Sequence, residues 1–73
     1  MKIIVNLASP PDRKKLVAEI MCDHEQWAEV HQEKKDLTLE VYPRRDGQPW
    51  TISYEEALEA LQTAKSRLIG GSK

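Results

Sequence analysis

The chain reads as an α+β domain, a small antiparallel sheet (a three-strand meander plus an N-terminal strand) packed by one C-terminal helix. Three observations predict this. Ser53-Tyr54-Glu55-Glu56 opens a segment whose apolar residues recur at spacings of three and four. Leu37-Thr38-Leu39-Glu40-Val41-Tyr42 alternates strictly between apolar and polar or aromatic residues. Residues 2–7 are rich in β-branched side chains and are followed by Pro10-Pro11, which cannot donate to a strand ladder.

The N-terminal strand is therefore expected over 2–7. Residues 12–32 admit two readings. As a helix, Leu16, Val17, Ile20, Met21, His24, Trp27, Ala28 and His31 would share a stripe, with Ser9 as cap and Pro10 in the first turn. As strands over 16–22 and 26–33, they form a hairpin around a three-residue loop at 23–25. Counting faces favours the hairpin. Leu16, Ala18, Ile20, Cys22, Ala28, Val30, Leu39 and Val41 fall on one side. Val17, Glu19, Met21, Trp27, Glu29, His31, Thr38, Glu40 and Tyr42 fall on the other. The third meander strand, 37–43, needs a neighbour, and the hairpin supplies one.

The segment from Arg44 to Pro49 carries Asp46-Gly47 and is read as a turn. Trp50 after it is expected to anchor the entry of the helix. The helix is predicted over 53–69, packing Tyr54, Leu58, Leu61, Ala64 and Leu68 on the sheet. Gly70-Gly71 provides its stop, and 70–73 form a frayed tail. The whole chain, 1–73, is one domain.

Composition excludes several function classes. A net charge of −1 with scattered basic clusters lacks the basic excess of a nucleic-acid binder, so nucleic acid is disfavoured as a partner. One cysteine, Cys22, rules out an internal disulfide and fits a reducing compartment. The short apolar run Ile3-Ile4-Val5 gives no signal-peptide core, and nothing approaches a membrane span. A cytoplasmic location without membrane association is expected. There is no glycine-rich phosphate loop. A domain this thin is also expected to lack the roughly 300 Å³ pocket that small-molecule sites use, so no cofactor is predicted and an enzyme is disfavoured.

Two clusters hold chemistry-bearing side chains. Cys22-Asp23-His24-Glu25 packs four metal-capable residues together, but lacks the second ligand pair of a structural zinc site. Glu19, Glu29, His31 and Glu40 fall on one sheet face, with Glu19 opposite Glu29 and His31 opposite Glu40. Such carboxylates would serve a metal or acid–base site, or else a solvated face. Arg13-Lys14-Lys15 and Arg44-Arg45 are read as solvent-facing charges.

The segment Glu25-Gln26-Trp27-Ala28-Glu29-Val30, the turn Tyr42-Pro43-Arg44 with Asp46-Gly47 and Pro49-Trp50, and the helix end Ala64-Lys65-Ser66-Arg67-Leu68 resemble a family of small uncharacterised bacterial proteins. The resemblance covers about residues 16–69. It implies a bacterial source and supports the strand reading, and it carries no activity. Similar sequences are expected to place Gly or Asp near the hairpin tip, where this chain has His24.

The expected function is a non-enzymatic protein-interaction or dimerisation module. The partner is a protein or a second copy of the chain, and the surface is formed by Met21, Trp27, Glu29, His31, Glu40 and Tyr42. A nucleic-acid-associated regulator ranks second, and a small metal-binding or acid–base enzyme third.

Overall fold

The computed structural model describes residues 2–71. Four strands, β1 (Ile3–Ala8), β2 (Val17–Cys22), β3 (Glu25–His31) and β4 (Thr38–Val41), form an antiparallel sheet in the order β1-β2-β3-β4. One helix, α1 (Tyr54–Gly71), packs on it. The α+β fold expected from sequence is present, and residues 12–32 are a strand hairpin with its preceding loop. Among the described residues no helix is long and apolar enough to cross a membrane.

The strand faces explain the core. Val5 pairs with Ile20, Ile20 with Ala28, Ala18 with Val30, and Val30 with Leu39. Paired residues in an antiparallel sheet share a face, so these side chains stack into one apolar layer. The buried cluster joins Val5, Ala18, Ile20, Ala28 and Val30 to Ala60, Ala64 and Leu68 of the helix. Alanines at the contact let the helix axis approach the sheet closely. The buried stripe is thus Ala60, Ala64 and Leu68 with Leu61 at its margin. The expected stripe corrects at its first two members, since Tyr54 is 77 % exposed and Leu58 41 %. Both stripes satisfy the helical period. The strand contacts, with β1, β2 and β3 but not β4, turn the alanine side inward.

The hairpin corrects in a second way. Cys22 pairs with Glu25, so Asp23-His24 is a two-residue turn, and the register slips between Ile20 and Met21. Asp23 adopts φ of 58°, a left-handed conformation that Asp tolerates and tight hairpin turns require. Its carboxylate accepts the Lys2 N–H at 2.9 Å, which ties the turn to the start of β1. The slip leaves Trp27 as an extra residue on β3, a β-bulge. A three-residue loop and a two-residue turn plus one bulge give the same parity at Ala28, so the assignment from Ala28 onward holds. Trp27 itself does not sit on the outer face; it packs against the helix-side core.

At the helix start, Ser53 Oγ accepts the Glu56 N–H at 3.4 Å, which is the Ser half of the capping box. The helix continues through Gly70 and Gly71, past the predicted stop. The rest of the expected frayed tail, Ser72 and Lys73, lies outside the described residues. Trp50 Nε1–H donates to Tyr42 O at 2.9 Å and so fastens the β4–α1 loop to the end of the sheet.

The rotated stripe is testable. Replacing Ala64 by Leu overfills a fully buried site and is expected to cost about 1–3 kcal/mol. Replacing Tyr54 by Ala should stay within about 0.5 kcal/mol. Urea unfolding midpoints of the two variants measure both.

Candidate functional site

The second sheet face has no helix above it, yet Val17, Glu29 and His31 on it are buried. The β1–β2 loop covers them. A turn closed by Arg13 N–H to Pro10 O at 3.1 Å starts this cover. Beyond it, the Lys14 and Lys15 N–H groups donate to the two carboxylate oxygens of Glu33 at 3.2 and 3.1 Å. Those bonds clamp the loop to the segment after β3. The Lys14 N–H, then burial opposing it, then the Lys15 N–H set the Glu33 carboxyl, and the net result lies below its ordinary value.

Beneath the loop, three glutamates run side by side across the strands. Glu19 pairs with Glu29, and Glu29 pairs with Glu40. Like charges directly opposite repel, and Arg13 enters between the last two. Its Nη2 lies 2.9 Å from Glu29 Oε2 and 3.2 Å from Glu40 Oε1. The bond to Glu40 has hydrogen-bond geometry. Among the described residues none gives Glu29 Oε2 an aligned hydrogen bond, and the Arg13 charge compensates this buried oxygen. Tyr42 O–H approaches the other Glu29 oxygen at 3.5 Å. Burial, with Glu29 and Glu40 nearby, raises the Tyr42 pKa and keeps this hydroxyl a donor.

His31 completes the network and its bonds fix its tautomer. The Glu33 N–H donates to His31 Nδ1 at 3.2 Å, so that nitrogen is unprotonated. Nε2 then carries the proton and donates to Glu40 Oε1 at 2.9 Å. The expected register shifts by one pair here: His31 stands opposite Thr38 and reaches Glu40 diagonally. Hydrogen bonds from His31 and then Arg13 lower the Glu40 pKa from its ordinary 4.5.

Glu29, His31 and Glu40 offer ligand atoms within 4.8 Å of one another, the geometry of a metal cluster. The donors are already engaged. Arg13 holds both carboxylates, and a metal on Nε2 would need the proton moved to Nδ1, where the Glu33 N–H points. Metal-bound histidines present the opposite arrangement, donating from the far nitrogen. The same engagement leaves His31 no free nitrogen for general-base work. The network is a partly buried tie between a loop and a sheet face.

Of the six residues expected to form the interaction surface, Glu29, His31, Glu40 and Tyr42 converge in this network. Met21 lies half-buried on the same face opposite Gln26, and Trp27 leaves for the other side. The cluster at 22–25 disperses: Cys22 is buried, Asp23 and His24 are exposed in the turn, and Glu25 accepts the Arg45 N–H. Burial, then Asp23 and Glu56, raises the Cys22 thiol pKa. Arg13, read as a solvated loop residue, turns out to be the centre of the site. The signal for it was the pair of glutamates on one face, which demand a cation. The expectation of no sizeable pocket also corrects: an open groove of about 380 Å³ runs between β1 and the helix, lined by Ile3, Val5, Glu56, Glu59, Ala60 and Arg67.

Two outcomes follow from the network. Arg13→Ala strands the buried Glu29 charge, so it should lower the thermal midpoint more than the double variant Arg13→Ala/Glu29→Gln, which removes that charge as well. The pH dependence has a definite sign. Glu40 and Glu33 have folded pKa values below their unfolded ones, so their stabilisation is present above the ordinary 4.5 and is lost as pH falls through the folded values. Melting curves followed into acid should show a decline that Glu40→Gln flattens; an unchanged slope would remove Glu40 from the account.

The chain matches no protein-family model, no curated protein and no solved structure among those compared with it, and its function is read from its own geometry.

Proposed function

We propose that this is a non-enzymatic protein-interaction module whose working surface is the open side of the sheet at β4. The observation that carries this is incomplete cover. The helix lies over β1, β2 and β3 and makes no contact with β4. Leu39 and Val41 share the face that is otherwise core, and they stand 45 % and 55 % exposed.

The helix adds a wall. Glu56, Glu59 and Arg67 line the groove beside β1, so that flank faces the other edge of the sheet. Tyr54, Leu58 and Ile69 lie on the opposite flank by helical spacing, and each is exposed. An apolar floor beside a wall of Tyr54, Leu58 and Ile69, interrupted by Lys65, marks a contact site. This moves the proposed surface from the glutamate face to the helix face.

The two other classes draw less support. The acid–base groups are engaged internally. The basic residues are dispersed, with Arg13 inside the network, Arg44 over Trp50 at 5.8 Å and Arg67 on the Val5 carbonyl. A module of a bacterial cytoplasm is consistent with the resemblance and with the single cysteine.

The test is capture from a bacterial extract with immobilised wild-type protein and with a Leu39→Lys/Val41→Lys variant of unchanged circular dichroism. The expected outcome is a specific protein partner retained by the wild type and reduced at least about tenfold with the variant, as loss of a central apolar anchor produces. Equal retention on both would overturn the proposal.

A further inference from the structure

We propose that the protein pairs with a second copy of itself through β4, edge to edge and antiparallel, centred on Leu39. This rests on the reading of the β4 side as an interaction surface.

The two edges of the sheet are treated differently. On β1, Lys2 O accepts the Asp23 N–H at 2.7 Å, so by alternation the even residues bond to β2 and the groups of Ile3, Val5 and Leu7 point outward. Arg67 Nη1 donates to Val5 O at 2.6 Å and caps the middle of that edge. On β4, the Tyr42 N–H bonds Trp27 O at 2.9 Å, so Tyr42, Glu40 and Thr38 face β3 while Leu39 and Val41 face outward. Among the described residues no other part of the chain hydrogen-bonds these outward groups. An unblunted edge is a template for another strand.

The sequence of β4 is self-complementary in one register. A two-fold axis perpendicular to the sheet keeps both helices on one face and sets residues of equal parity opposite each other. Centring on Thr38 puts Asp36 opposite Glu40 of the other copy, and centring on Glu40 puts Glu40 opposite itself, both like-charge pairs. Centring on Val41 sets Leu39 against Pro43, which has no N–H to give. Centring on Leu39 avoids all three. It sets Leu39 on Leu39, Leu37 on Val41 and Thr38 on Glu40, and each outward N–H meets an outward carbonyl. Leu37, Leu39 and Val41, all exposed in the single chain, become neighbours on the apolar face. A contact of five residues a side falls short of the roughly 800 Å² per partner of a tight interface, so the pair is expected in the micromolar range.

Sedimentation velocity from micromolar to millimolar protein tests this. The wild type should shift to twice the monomer mass as concentration rises. Val41→Pro, which removes an outward N–H and leaves the bonds to β3, and Leu39→Lys should both stay monomeric with unchanged circular dichroism. A wild type that is monomeric throughout overturns self-pairing, as does a dimer that both variants still form. If the wild type is monomeric while extract capture still depends on Leu39 and Val41, self-pairing fails and the interaction surface stands. If capture is also independent of them, both fail.

Discussion

Arg13 is the residue on which the closure of the second face depends. Three glutamates side by side on neighbouring strands form a repulsive row, and the middle one, Glu29, is buried. A single guanidinium between Glu29 and Glu40 makes that row tolerable and at the same time holds the loop that shuts out the water. Burial and charge compensation therefore depend on each other here. A buried charge pair is seldom a source of net stability against an apolar equivalent. It does impose an arrangement, because Arg13 and His31 both hydrogen-bond Glu40 Oε1.

The two faces of the sheet are closed by different physics. Under the helix, small alanines and aliphatic side chains exclude water without directional demands. Under the loop, a histidine held in one tautomer, a tyrosine hydroxyl and an arginine impose geometry. The aliphatic closure is the incomplete one, since a single helix covers about three strands and the fourth is left with Leu39 and Val41 in water.

Much of this was legible in the residues. The Ser53 cap, the alternation through Leu39 and Val41, and the segregation of Ala18, Ile20, Ala28 and Val30 onto one face are local patterns with local causes. The choice of helix side was not. Leu58 and Ala60 both fit a helical stripe, and only the seat of the helix over β1 and β2 selects the smaller residue. Arg13 was hidden for a related reason. It sits in an aperiodic loop after Pro10-Pro11, so no spacing links it to glutamates 16 and 27 positions away. The acidic half of the site lay in view, and its cation had to come from tertiary structure.

The bulge at Trp27 has a consequence for how such chains vary. A hairpin fixes which side chains meet the core through the parity of the residues in its turn and strands together, and not through the turn alone. Here a two-residue turn would give the wrong parity at Ala28, and one unpaired residue restores it. Turn length and bulge are thus interchangeable: a relative with the same number of residues between Ile20 and Ala28 that spent three of them, 23–25, on the turn would need no bulge to present the same faces. Its Trp27 would then turn outward, toward the glutamates.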